Sequence, residues 1–291
     1  MLQKRQNGTA YLLLLPLFIL FGLFTAYPFF YGLFISLHQW DGYGAKKFIW
    51  FNNYIRAITD KTLYAAAYHN VQYALGTVTG KLFLSFCLSL LMQRRSKGNT
   101  FFRAVFFVPV VLSTTTVGVI WSRIYDPVLG LLNSFLMNFS LVLKPIPWLS
   151  EPRLAIWSLV IVDLWKWTGY HTVIFLAGLT TIPDELYESA SMDGANYLQR
   201  LFFITIPQLR GVTLMNLTIS LMGAFSVFDI VYIMTKGGPY KSTEVILTYM
   251  YSQTFAGGNT NYGYGSTMAM LLFVIILCIT ILMNKLINKE I

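Results

Sequence analysis

Apolar residues in this chain gather into six long runs separated by short polar segments. The first, Tyr11 to Leu37, holds no charged residue and is too long for a signal-peptide core. The second extends from about Val71 to Met92, interrupted by Lys81, and the third covers Ala104 to Trp121. Leu154 to Leu179 form the fourth, which contains Asp163, Lys166 and His171. The fifth is Gly211 to Met234 and the sixth Met268 to Met283. A bilayer core takes about 20 mostly apolar residues per helix. The pattern therefore predicts an all-α polytopic membrane protein with six transmembrane helices and both termini on one side.

Composition points the same way. Of 291 residues, 56% are hydrophobic and only 11% charged, against roughly 25% charged in soluble domains. The net charge of +9 does not indicate nucleic acid, because the Lys and Arg residues are strung between apolar runs instead of clustering on one face. Cys87 and Cys278 both sit inside apolar runs, so neither a disulfide framework nor a zinc site can be built.

Charge also orients the chain. Lys4, Arg5, Arg94, Arg95, Lys97, Arg103, Lys285 and Lys289 fall on the side of the termini. Lys46, Lys47, Arg56, Lys61, Lys236 and Lys241 fall on the other. The loop from Arg94 to Arg103 is short, basic and free of acid, which places the termini in the cytoplasm by the positive-inside rule.

One segment between spans four and five, residues 181–207, has a more elaborate pattern than a linker needs. Thr181 suits an N-cap, Pro183 a first turn, and Asp184 with Glu185 the positive end of a helix. Gly194 suits the left-handed position that closes it. Asn196 to Thr205 can form a second short helix, and Pro207 marks entry to span five. The small residues Ser189, Ala190 and Ala195 allow another backbone to come close. An amphipathic hairpin resting on lipid fits the spacing equally well.

Glu188-Ser189-Ala190, Asp193-Gly194-Ala195, Ile204 and Pro207 resemble the EAA loop of permease subunits of binding-protein-dependent ATP-binding cassette importers. Ser189 stands for the usual middle Ala, and Ile206 for the Leu before the Pro. The stretches Trp50–Ile58, Phe101–Val111, Gly130–Leu136, Pro147–Tyr170 and Phe225–Pro239 resemble the maltose and multiple-sugar permease family in the same order. The resemblance implies a cytoplasmic N-terminus at 1–10, a permease domain at 11–286 that includes the 181–207 loop, and a cytoplasmic C-terminus at 287–291. It implies that Glu188, Ser189, Ala190, Asp193, Gly194 and Ala195 form a coupling helix and turn that dock on an ATPase. It also implies a location in the bacterial cytoplasmic membrane. The expected partners are a second permease, two ATP-binding cassette ATPases, an extracytoplasmic solute-binding protein, a sugar and membrane lipid, with no nucleic acid. The segment between spans two and four is short, so the maltose-type relative's large extracytoplasmic insertion, and its contacts with the binding protein, are not expected here.

Gly76–Lys81 looks like a phosphate loop but has three residues between its glycines and Leu82 after the Lys. No cofactor is therefore expected on this chain, ATP and Mg belonging to the ATPases, and no catalytic or metal-binding residue is expected. Asp163, Lys166, Trp167 and Tyr170 share one face of span four, and Asn216 and Ser220 lie one turn apart in span five. Intramembrane charges usually face a cavity or a partner, and aromatic and polar groups together suit a sugar. These six are the candidate substrate pathway. The alternatives are an Asp163–Lys166 ion pair, contacts to the second permease, Trp167 facing lipid, and simple helix packing for span five. Asp229 sits nearer the outer end, and His69 and His171 read as interfacial hydrogen-bonders. Rival functions are import of another polar solute such as glycerol phosphate, an ion-coupled secondary transporter, and a membrane-embedded enzyme. The last two lack, respectively, an internal repeat and a convergent set of catalytic groups.

Overall fold

The computed structural model describes residues 13–93, 99–256 and 260–287. Lys4, Arg5, Arg94, Arg95, Lys97 and Lys289 lie outside the described residues. Most of the described residues are helical, and the strands among them form a two-stranded hairpin that pairs His38 with Phe48 and Gln39 with Lys47. We label the main helices α1 (Leu13–Ser36), α2 (Asn52–Thr59), α3 (Lys61–Met92), α4 (Asn99–Val111), α5 (Thr114–Ile124) and α6 (Leu131–Asn138). There follow α7 (Pro152–Leu179), α8 (Asp184–Met192), α9 (Tyr197–Arg200), α10 (Arg210–Phe225), α11 (Asp229–Met234), α12 (Ile246–Tyr251) and α13 (Tyr262–Ile287). Among the described residues, α1, α3 and α13 are each long and apolar enough to cross a bilayer.

Contacts divide the chain into two units. In the first, Met1–Lys61 with Met250–Phe273, polar bonds tie α1 and the hairpin to α2 and the start of α13. The buried Asn53 amide donates to the carbonyls of Ser36 and His38, at 2.9 and 3.0 Å. The Tyr264 hydroxyl donates to Asp60 at 2.6 Å, and the Arg56 guanidinium lies 4.0 Å from the Tyr264 ring centroid.

The second unit, Thr62–Tyr249 with Val274–Ile291, contains the larger core. Tyr73, Val117, Tyr125, Leu159, Val162, Val231 and Val245 are buried together there. Lipid is as apolar as these side chains, so close packing and satisfied polar groups, more than escape from water, hold such helices together. Hydroxyls within the runs bond back to their own helix: Thr77 to the Tyr73 carbonyl, Thr168 to Leu164 and Thr172 to Thr168. Gly169 allows a close backbone approach, because a Cβ there would collide with the Phe106 carbonyl of α4.

Two apolar runs are broken where an unbroken span was expected. The third run bends by 98° between α4 and α5, with Pro109 inside α4. The fifth stops at Phe225 and resumes as α11. Buried Asn70 of α3 serves the second break, donating to the Ala224 carbonyl at 3.2 Å and accepting from the Ile246 N–H at 2.9 Å. A broken helix is tolerated at membrane depth only if its freed backbone groups find such partners.

Candidate functional site

Within the second unit, α3, α5, α7 and α10 with the residues that follow it enclose a cavity of about 400 Å³. Lys81 comes from α3, Thr114 from the first residue of α5, and Asp163, Trp167, Tyr170 and His171 from α7. Ser220, Gly223, Ser226, Phe228 and Asp229 line the remaining wall. Asp163 and Tyr170 lie seven positions apart on α7, two helical turns, and so open onto the same side. The Trp167 and Tyr170 rings meet nearly edge to face, their centroids 6.1 Å apart. Trp167 therefore does not face lipid; Trp165, which is 43% exposed, sits on the outer side.

The electrostatic centre of the cavity differs from the sequence expectation. Asp163 pairs with Lys81 at 2.8 Å, across from α7 to α3, and not with Lys166. Both side chains are buried. The Tyr73 hydroxyl, also on α3, is buried without a hydrogen-bond partner. Lys166, though only three positions from Asp163, does not line the cavity. Its ammonium turns away to the end of α4, where it donates to the carbonyl of Leu112, the next residue, at 2.6 Å.

Asn216 also stands behind the wall. Its Oδ1 accepts from His171 Nδ1 at 2.8 Å, and the His171 ring lines the cavity in its place. His171 is thus buried inside the helix bundle instead of at an interface, while His69 Nδ1 donates to the Glu244 carbonyl at 3.0 Å. Asn216 Nδ2 and Ser220 Oγ are buried without any hydrogen-bond partner. Buried polar atoms are normally satisfied, so these two unpaired groups, Ser220 on the cavity wall and Asn216 behind it, stand out.

Sequence reasoning passed over Lys81, Thr114, His171 and Asp229 as wall residues. A lone charge inside an apolar run was the available signal for Lys81. Nothing in the hydropathy pattern marks Thr114, which reaches the wall only because the third run is bent.

The 181–207 segment folds as two short helices joined by a tight turn. Pro183, not Thr181, occupies the N-cap of α8, and the Thr181 hydroxyl instead bonds back to the Gly178 carbonyl at 2.8 Å. At the other end the Asp193, Gly194 and Ala195 N–H groups donate to the carbonyls of Ser189, Ser191 and Ala190. Gly194 takes φ +78°, the left-handed conformation that such a closure needs. Asn196 and Gln199 then form a reciprocal capping box for α9, with bonds of 2.9 and 2.7 Å. Arg200 ties the two arms by donating to Ser191 Oγ at 2.8 Å, and the Tyr187 and Thr205 hydroxyls meet at 3.0 Å. No residue of α8 is buried; Glu188, Ser189 and Asp193 are exposed, while Ala190 and Ala195 are half-covered. A braced element with a bare outer face can transmit force to whatever seats on it.

Residues 73–290 match the family of the binding-protein-dependent transport system inner membrane component. Among relatives, the chain is 36% identical over 278 residues to "Probable ABC transporter permease protein YurN" of Bacillus subtilis, covering 94% of each chain. It is 32% identical over 285 residues to the trehalose/maltose transport system permease protein MalF of Thermococcus litoralis, covering 98% of this chain and 95% of that one. In fold it is similar to the crystal structure of a bacterial ABC transporter involved in the import of the acidic polysaccharide alginate, with a TM-score of 0.85, 22% identity and coverage of 98% and 96%. With a family match over most of its length and apolar helices long enough to cross a bilayer, this chain belongs to the inner membrane components of binding-protein-dependent transport systems.

Proposed function

We propose that the chain is one of two different permease subunits of an ATP-driven importer, and that its cavity is part of the route for a sugar or oligosaccharide. The observation that carries this reading is the cavity itself. It offers two aromatic rings for the apolar face of a sugar, and an unpartnered hydroxyl with an unpartnered amide just behind it. The relationship to a trehalose/maltose permease supports the same cargo class. A glycerol phosphate cargo fits less well, because the cationic Lys81 is already neutralised by Asp163 and the wall carries a further acid, Asp229.

In this reading the chain crosses the bilayer six times, through α1, α3, the bent pair α4–α5, α7, α10 and α13, with its termini in the cytoplasm. The bare face of α8, with Glu188, Ser189, Ala190, Asp193, Gly194 and Ala195, seats in a groove of an ATPase subunit, which binds ATP and Mg. An extracytoplasmic binding protein delivers the cargo. Asp163, Trp167, Tyr170 and Ser220 face it, while Asn216 acts through His171.

Uptake by the assembled complex tests the route. Trp167→Ala removes a stacking surface and should slow uptake about fivefold, the equivalent of roughly 1 kcal/mol. Ser220→Leu fills the cavity and should nearly abolish uptake while the complex still purifies intact. Normal uptake in both variants would assign these side chains to helix packing.

A further inference from the structure

We infer that Lys166 is a positioning residue: it holds open the break between α4 and α5, and so delivers Thr114 to the cavity wall. The starting point is an inventory of backbone bonds. A helix that stops at Val111 leaves its last carbonyls without N–H partners. At membrane depth no water replaces them. The Lys166 ammonium, on a side chain only 2% exposed, supplies the missing donor. It bonds the Leu112 carbonyl at 2.6 Å and lies 3.5 Å from those of Pro109 and Val110, at the edge of hydrogen-bonding range. A cation at this point also complements the negative end of the α4 dipole.

Placement adds to the case. In a continuous helix the same three carbonyls would be taken by the N–H groups of Ser113, Thr114 and Thr116, by the i to i+4 rule. Lys166 thus stands in for the backbone donors that the bend removes. Its nearest acid, Asp163, is committed to Lys81 and does not draw it away. Gly169, less than one turn further along α7, lets that helix lie directly on α4 at Phe106. The bend and α7 are therefore held to each other at two neighbouring points. The consequence is local: α5 begins at Thr114, and Thr114 lines the cavity.

Without the ammonium, the least costly repair is to re-form helical bonds across Leu112 and Ser113. That straightens the run and turns Thr114 away from the wall. The inference rests on the cavity being the transport route only for its importance, since the geometry is read without transport.

The test uses the assembled complex in a background lacking Cys87 and Cys278, with Thr114→Cys as reporter and a small water-soluble thiol reagent. Ser226→Cys, on another wall of the same cavity, is the control. Adding Lys166→Met should lower the labelling rate at position 114 about tenfold, a population shift worth roughly 1.4 kcal/mol, and leave position 226 unchanged. Should that variant fail to assemble, Lys166→Gln, which keeps a shorter neutral donor, should give a drop of about threefold. Unchanged labelling at 114 in the variant that assembles overturns the inference. So does an equal loss at 226, which would make Lys166 a general support. Failure of the sugar-route reading is seen separately, as normal uptake by Ser220→Leu.

Discussion

Lys81→Met is expected to destabilise the protein by about 3–5 kcal/mol, the usual cost of leaving one member of a buried ion pair alone. Lys81 and Asp163 are 4% and 7% exposed, and their 2.8 Å contact joins α3 to α7 through the cavity wall. Removing the ammonium strands the carboxylate among Tyr73, His171 and apolar neighbours. The pair itself is a different matter, because two charges taken from water nearly cancel their own attraction. Lys81→Met combined with Asp163→Leu should therefore recover most of the loss. The measurement is the thermal midpoint of the monodisperse peak in detergent size-exclusion chromatography. A single variant as stable as wild type would mean that Asp163 is solvated by some other group. Uptake is not the readout here, since both side chains also line the cavity.

Gly169→Val should cost about 3 kcal/mol, at the upper end of overpacking penalties. The added atoms meet the backbone at Phe106, which cannot rotate aside as a side chain can. Other glycines calibrate the effect. At Gly178 a Cβ meets the ends of Val212 and Leu209, which can shift, so Gly178→Ala should be mild. At Gly211 it meets nothing within 4 Å, and Gly211→Ala should be neutral or slightly stabilising through helix propensity. The same thermal assay ranks the three. A Gly169→Val protein no less stable than Gly178→Ala would place the α4–α7 contact elsewhere.

Hydropathy made much of the fold legible, because bilayer thickness imposes a length that a sequence cannot hide. The long helices α3, α7 and α13 overlap the apolar runs closely, extending past them where polar ends such as Lys61 to Asn70 continue the helix. Breaks were not legible, since hydropathy is blind to the direction of the backbone. Pro109 was the local sign of the first, and the partners that make both breaks tolerable, Lys166 and Asn70, come from distant helices. In the cavity, helical spacing put Asp163, Trp167 and Tyr170 on one face, and all three line it. The same spacing misassigned the ion pair. Lys166 is near Asp163 along the helix, but the vacant carbonyls at Leu112 and the opposed Lys81 decide where each charge goes. In the 181–207 loop, Gly194 was readable from its role in helix closure, whereas the Asn196–Gln199 box that sets the second arm passed unnoticed.

As proposed, this chain couples ATP hydrolysis in a partner to movement of a sugar through its own helices. The most direct measurement is saccharide uptake into liposomes that contain the chain with its second permease, ATPase subunits and binding protein, with hydrolysis recorded in parallel. Wild type should take up saccharide only when ATP is present. Glu188→Lys reverses the charge on the exposed face of α8, and Gly194→Val places a β-branched residue at φ +78°. Nothing within this chain crowds a Cβ at position 194, so the strain falls on the turn itself. Both variants should insert normally, yet lose their ATPases or hydrolyse ATP without uptake. Uptake that proceeds without ATP, or wild-type coupling in both variants, would contradict the account.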